Sequence, residues 1–193
     1  PVRTLIYVPI IHSSADLGSI AEHVAKRGIT SLGQDLWEKH KRTVEGFWNV
    51  ISDYFDSIDV NGVKIFQDGM VADDEVGKKI AEDTAKAGSK NYQLILRLLE
   101  RGAVLVKTED FKLVKREYDR LHAITQAKSL TRKIAAFIKY KLVKTILLNK
   151  RDAFIAERIN QTLKAGEKAV LFIGASHNIK KRLSRSVQIK EIK

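Results

Sequence analysis

Four short apolar runs, set far apart along the chain, constrain what it can fold into more than any other feature. They are Leu5 to Ile10 (LIYVPI), Val63 to Phe66 (VKIF), Ala103 to Val106 (AVLV) and Ala169 to Ile173 (AVLFI). Each is rich in β-branched or aromatic residues and bounded by polar residues or glycine, the pattern of a strand buried on both faces. A fifth run, Val187 to Ile192 (VQIKEI), alternates and carries lysine, as an edge strand does. Helical spacing fills the gaps. Leu17, Ile20, Ala21 and Val24 follow the capping types Ser13, Ser14 and Asp16. Leu36, Val44, Phe47, Trp48, Ile51 and Phe55 form a second stripe. Tyr92, Ile95, Leu96 and Leu99 form a third, closed by Gly102. The segment 121–148 is helical in composition, and Ile155, Ile159 and Leu163 mark a further helix before Gly166.

Strands joined through helices require crossovers, and crossovers give parallel pairing with helices on the sheet faces. The expected class is α/β: a mostly parallel sheet flanked by helices, in a single domain spanning 1–193. The segments at about 30–58 and 112–164 are too long for simple crossovers and are expected as helical insertions, packed as hairpins or as a cap.

Composition narrows the chemistry. The chain has 193 residues and no cysteine, which excludes disulfides, thiolate metal ligands and a cysteine nucleophile. No apolar run approaches the ~20 residues of a membrane-spanning helix. The N-terminal Pro1-Val2-Arg3-Thr4 leads directly into the first apolar run, and the expectation is a cytoplasmic protein without a membrane span. Gly69, Gly88 and Gly174 make neither a Walker loop nor a dinucleotide fingerprint.

In open parallel sheets, sites form beyond the carboxyl ends of the strands. The first run ends in Ile11-His12-Ser13-Ser14, the second in Gln67-Asp68-Gly69, the third in Lys107-Thr108-Glu109-Asp110 and the fourth in Gly174-Ala175-Ser176-His177-Asn178. Two imidazoles and at least two carboxylates would meet at one sheet edge. His12, His177 and Asp68 have the ligand chemistry for zinc, manganese or cobalt; without a metal, a histidine can act as general base on water with a carboxylate orienting it. Ser13, Thr108, Asp110, Ser176 and Asn178 are equally suited to capping the helices that follow. Ser13 lies in no nucleophile elbow.

The segment Ala169 to Ile179 (AVLFIGASHNI) resembles the late strand–GxxH unit of the TraB/Tiki and erythromycin-esterase/ChaN-like superfamily. Ile6 to Ser14 (IYVPIIHSS) resembles its first such motif, with Pro9 where the family has glycine. Lys150 to Ile159 (KRDAFIAERI) resembles the Arg-Asp helix before the last strand. The second strand ends in Gln67-Asp68 where the family has glutamate. The resemblance implies a site for hydrolysis, or for a metal or haem, formed by His12, His177, Arg151 and Asp152. It also places an arginine at the start of a helix near the histidines. Asp68 and Glu109 join the site through strand-end geometry.

The resulting expectation is a hydrolase acting on a small-molecule or peptide substrate. His12, His177, Asp68, Glu109 and Arg151 form its site, with a divalent transition metal (Zn, Mn or Co) as cofactor and haem as the lesser candidate. Arg151 is expected in the first turn of its helix, pairing with Asp68 or Glu109. The alternative is a non-enzymatic binding protein for haem, metal or nucleic acid. His40 lies on the apolar stripe of its helix and is expected to pack; His23 and His122 carry no motif.

Charge is unevenly placed. Residues 1–111 hold 14 Lys and Arg against 17 Asp and Glu, whereas 112–193 hold 21 against 6. That asymmetry suits either an anionic partner or a solvated surface. Within 128–150 the charges are not segregated on an ideal helix, since Lys141 projects to the side of Leu130 and Lys139 opposite, which argues against a membrane-surface helix. With only Phe137 and Tyr140 as aromatics, a stacking platform for single strands is not indicated. Lys180, Lys181, Arg182 and Arg185 follow the His177 motif and are placed to draw in an anionic substrate.

Overall fold

The computed structural model describes residues 2–10, 26, 29–31 and 33–192. Five strands form one sheet in which every pairing is parallel: β1 (Arg3–Ile10), β2 (Lys64–Gln67), β3 (Val104–Val106), β4 (Lys168–Gly174) and β5 (Val187–Glu191), in the order β3-β2-β4-β1-β5. The α/β class with a parallel sheet is therefore as the apolar runs predict, and the alternating fifth run is an edge strand beside β1.

The central strands are apolar throughout because both their faces are covered. Ile6, Val8, Ile10, Ile65, Val170 and Phe172 face one core, which also holds Val44, Trp48, Ile51 and Phe55 of α1 (Gln34–Asp56). Leu5, Tyr7, Phe66, Leu171 and Ile173 face the other, against Ile155 and Ile159. Period-two alternation thus sorts one continuous run between two cores.

On the α1 side also lie α2 (Asp74–Lys86) and α3 (Lys90–Glu100), which link β2 to β3. The apolar stripes do not reveal α2, because its buried face is Gly77, Ala81 and Ala85. A Cβ at Gly77 would meet the Ala72 carbonyl oxygen at 2.7 Å, so the small residue is what lets α2 sit this close. Gly102, at φ 89°, ends α3's turn in the left-handed region, as expected.

The second insertion is a pair of helices, α4 (Phe111–Thr125) and α5 (Leu130–Thr162), packed along each other. Here two expectations are corrected. The helix expected at 121–148 is divided, its first residues closing α4, and its part from Leu130 is continuous with the helix expected to hold Ile155 and Ile159: α5 runs unbroken for 33 residues, because no glycine or proline interrupts 130–162. Arg151 accordingly sits deep inside α5 and not in a first turn. In the first insertion, residues 30 and 31 are helical ahead of α1, and Leu36 of the expected stripe is exposed, not packed. His40 is exposed as well, with its ring 5.6 Å from Trp37's and not packed in the core. His12, His23, Ser13 and the stripe Leu17 to Val24 lie outside the described residues.

Candidate functional site

The connections after β2 and β4, which are neighbours, leave toward opposite faces. β2 continues into α2 on one side, whereas the chain after β4 places Ile179 and Leu183 in the core on the other. Such a switch point opens a crevice beyond the carboxyl ends of the strands. Asp68, Glu109 and His177 converge there.

Each side chain is placed by backbone bonds of its own loop. Asp68 N–H donates to the Phe172 carbonyl (2.9 Å), extending the β2–β4 ladder one residue beyond the strand, and the Asp68 Oδ2 accepts from Gly174 N–H (3.1 Å). Alternation puts Asp68 on the same face as Phe66 and turns Gln67 away. Gln67 instead accepts from the Asn91 amide on α3 (2.9 Å), so of the two candidates at this strand end it is Asp68 that meets the cluster. Gly69 follows at φ 81°, and this left-handed turn lets its N–H donate to Glu109 Oε1 at 3.2 Å. The β3 loop is bound to the same turn: the N–H groups of Thr108 and Glu109 both donate to the Met70 carbonyl (2.9 Å each), while the Thr108 hydroxyl accepts from Gln67 N–H. Asp110 then caps α4, accepting from Leu113 N–H at 2.9 Å.

Arg151 ties the carboxylates together. Its Nε donates to Glu109 Oε2 at 2.8 Å and its Nη2 to Asp68 Oδ1 at 2.7 Å; Nη2 also bonds Glu109 Oε1, and Nη1 bonds Glu117 on α4. The fork therefore holds both Asp68 and Glu109, not one of them, in addition to a third carboxylate that sequence reasoning does not find.

Asp152, the next residue along α5, serves His177. Its Oδ1 lies 2.6 Å from His177 Nδ1, and its Oδ2 accepts from Asn178 N–H at 2.9 Å. With Nδ1 carrying the proton toward Asp152, Nε2 is turned to the other carboxylates and lies 3.4 Å from Asp68 Oδ2. Asp68, Glu109 and His177 each offer a ligand atom within 4.8 Å of the others.

Four carboxylates, Asp68, Glu109, Glu117 and Asp152, share this region with one guanidinium and one imidazole. Glu109 is fully buried, and the His177 side chain is only 3% exposed. Even with His177 protonated, negative charge is in excess by two. Buried charge of one sign is costly and favours uptake of a proton or a cation. The titration behaviour follows. Burial pushes Asp68 up, but the His177 hydrogen bond and charge, with Arg151 beside it, outweigh this and hold it well below the usual carboxylate range. Burial pushes Glu109 up against the pull of Arg151, and Asp68 adds to the rise, so Glu109 is more readily protonated than an ordinary glutamate. Burial lowers His177, but Asp68 and Asp152 more than compensate, leaving it raised.

The expected site residues Asp68, Glu109, Arg151 and His177 are thus in mutual contact, and His12 lies outside the described residues, two positions beyond the end of β1. Asp152 has a readable signal: it falls on the Ile155–Ile159 stripe, where a carboxylate faces the sheet. Glu117 has none, since its position depends on how α4 folds back on α5. Of the basic tail, Lys180 pairs with Glu191 (2.6 Å) and lies 4.3 Å above the Tyr7 ring centroid, so its charge is engaged locally. No protein-family model, curated protein or solved structure matches the chain.

Proposed function

We propose that the chain is a hydrolase whose site is formed by Asp68, Glu109 and His177, which would hold a divalent transition metal. One observation carries this reading: Asp152 fixes the His177 ring through Nδ1, so that Nε2 is presented to Asp68 and Glu109. A carboxylate behind a histidine orients the ring, fixes its tautomer and makes the distal nitrogen more basic, which suits that nitrogen as a metal ligand or, without a metal, as a general base.

A divalent transition metal held there supplies Lewis acidity toward water or a substrate oxygen. The donor set fits: one imidazole nitrogen and two carboxylates, where a metal would displace the protons that His177 and Glu109 hold more readily than usual. Asp68 stays anionic across the neutral range, the protonation state that ligation requires. Arg151 keeps Asp68 and Glu109 from rotating and limits their mutual repulsion; it is a positioning residue. Without a metal, His177 Nε2 would instead accept the proton of the attacking water, Asp152 would stabilise the resulting imidazolium, and the same nitrogen would return the proton to the leaving group. The resemblance of the GASH segment and the Arg151-Asp152 pair to the TraB/Tiki and erythromycin-esterase/ChaN-like superfamily points the same way.

The test is turnover of chromogenic ester, amide and phosphoester substrates by protein loaded with zinc, manganese or cobalt. Turnover lost in His177→Asn, with folding retained, supports the proposal. Metal binding without turnover of any substrate supports a non-enzymatic metal-binding protein, and the absence of both binding and turnover overturns the proposal.

A further inference from the structure

α5 is apolar on two faces in its first half. One face, with Ala136, Tyr140, Val143 and Leu147, is partly or fully buried along α4. At about 100° per residue, Leu130, Ile134, Ile138, Leu142 and Ile146 lie away from it, and all five are exposed, Leu130 by 74% and Leu142 by 72%. Arg132 and Lys139 border this second stripe on one side and Lys141 on the other, all exposed. From 120 to 151 the sequence contains nine Lys and Arg and no Asp or Glu.

This revises the expectation that the charges here are unsegregated. Over the whole helix the two apolar faces cancel, but α4 covers one of them. What reaches solvent is an aliphatic stripe flanked by cations, with Phe137 exposed beside it, its ring centroid 5.6 Å from Lys141 Nζ, on a pair of helices in which α4 buries no residue and α5 buries none before Leu147.

We propose that this face of α5 docks on an anionic lipid bilayer, with the aliphatic stripe in the interfacial region and the flanking Arg132, Lys139 and Lys141 on lipid phosphates. The combination selects the occupant. Five aliphatic side chains gain nothing from a nucleic-acid backbone, which would use the cations alone. A second copy seated on the same face would set these cations against their own counterparts, with no acidic residue in 120–151 to answer them. A bilayer surface takes both: the stripe enters the acyl boundary while lysine and arginine stems reach back to the headgroups. No helix among the described residues is long and apolar enough to cross a membrane, so the contact is peripheral. The proposal is independent of the His177 site.

The experiment is flotation of the full chain with vesicles of phosphatidylcholine alone and with about one-third phosphatidylglycerol. The expected result is binding to the anionic vesicles only. Lys139→Glu combined with Lys141→Glu is expected to weaken it roughly tenfold or more, and Leu142→Asp to weaken it by a similar factor. Both variants should keep the wild-type circular dichroism and melting temperature, since the altered side chains are exposed. Raising salt should reduce binding of the wild type. Absence from anionic vesicles, equal binding to neutral ones, or an unaltered Leu142→Asp protein each overturns the proposal. A dimer dissolved by Leu142→Asp, or duplex binding that depends on the lysines but not on Leu142, would overturn it by assigning the face to those partners instead.

Discussion

The two halves of α5 share one backbone helix and differ in almost everything else. From Leu147 onward the helix lies on the sheet: Ile155 and Ile159 are fully buried, and Arg151 and Asp152 enter a carboxylate-rich cluster. Before Leu147 no residue of the helix is buried, and α4 packs along it. The buried half carries ion pairs that must be satisfied inside the protein; the exposed half carries cations that water can satisfy. Helical continuity therefore says little about function. The environment of each turn decides whether a charge acts as a structural clamp or as a free surface group.

The widest difference should appear on removing charge from the buried half. Arg151→Ala leaves Asp68, Glu109 and Glu117 without their guanidinium, and breaking a buried ion pair in this way costs about 3–5 kcal/mol. Denaturant unfolding of Arg151→Ala measures this directly. Arg151→Lys keeps the charge but not the fork and should recover only part of the loss. A stability equal to wild type in Arg151→Ala would mean that the cluster is not closed as described.

A pair of aliphatic truncations sharpens the contrast without involving charge. Ile155→Ala removes a fully buried side chain and should cost about 2–5 kcal/mol, whereas Ile138→Ala, on the same helix, should change stability by less than about 0.5 kcal/mol. Equal effects would erase the distinction between the halves.

Within the cluster, Asp152→Asn keeps the shape but weakens the hold on the His177 ring. Metal affinity should fall by about 10–100-fold, the usual penalty for losing a partner behind a ligating histidine. Titration with a competing chelator reads this change, and an unchanged affinity would remove Asp152 from the site.

The smallest effect lies where the halves meet. The Tyr140 hydroxyl donates to Glu117 Oε1 at 3.3 Å, and burial with the neighbouring Glu117 carboxylate pushes Tyr140 up to about 12. A folded value above the unfolded one, ~10, stabilises the protein fully below that unfolded value. The contribution is lost as pH rises through the folded value. Ultraviolet titration should show late-ionising tyrosine absorbance, Tyr7 being raised as well by its burial, and Glu117→Gln should bring the Tyr140 part of it to lower pH.

Much of this architecture is legible in the amino-acid sequence. The apolar runs mark all five strands, because strands covered on both faces need uninterrupted apolar sequence, and the parallel sheet follows from the helices between them. Asp68, Glu109 and His177 stand out because strand ends in such sheets converge. What the sequence hides has physical causes. α2 packs through Gly77, Ala81 and Ala85, which leave no apolar stripe. The continuity of α5 is masked because the change of environment near Leu147 alters the apolar pattern as a change of element would. Glu117 reaches Arg151 only through the pairing of α4 with α5, which no local pattern records. Gln67 and Asp68 separate only through the sheet face that Phe66 occupies.

The central claim is that His177 Nε2, Asp68 and Glu109 together bind a divalent transition metal. Visible absorption during cobalt(II) titration tests it most directly, because ligand-field bands report on the coordination of the ion. The account predicts saturable bands at one equivalent in the wild type that are absent from His177→Asn and from Asp68→Asn, both variants remaining folded. A wild-type protein without such bands, or with bands that persist in His177→Asn, would contradict it.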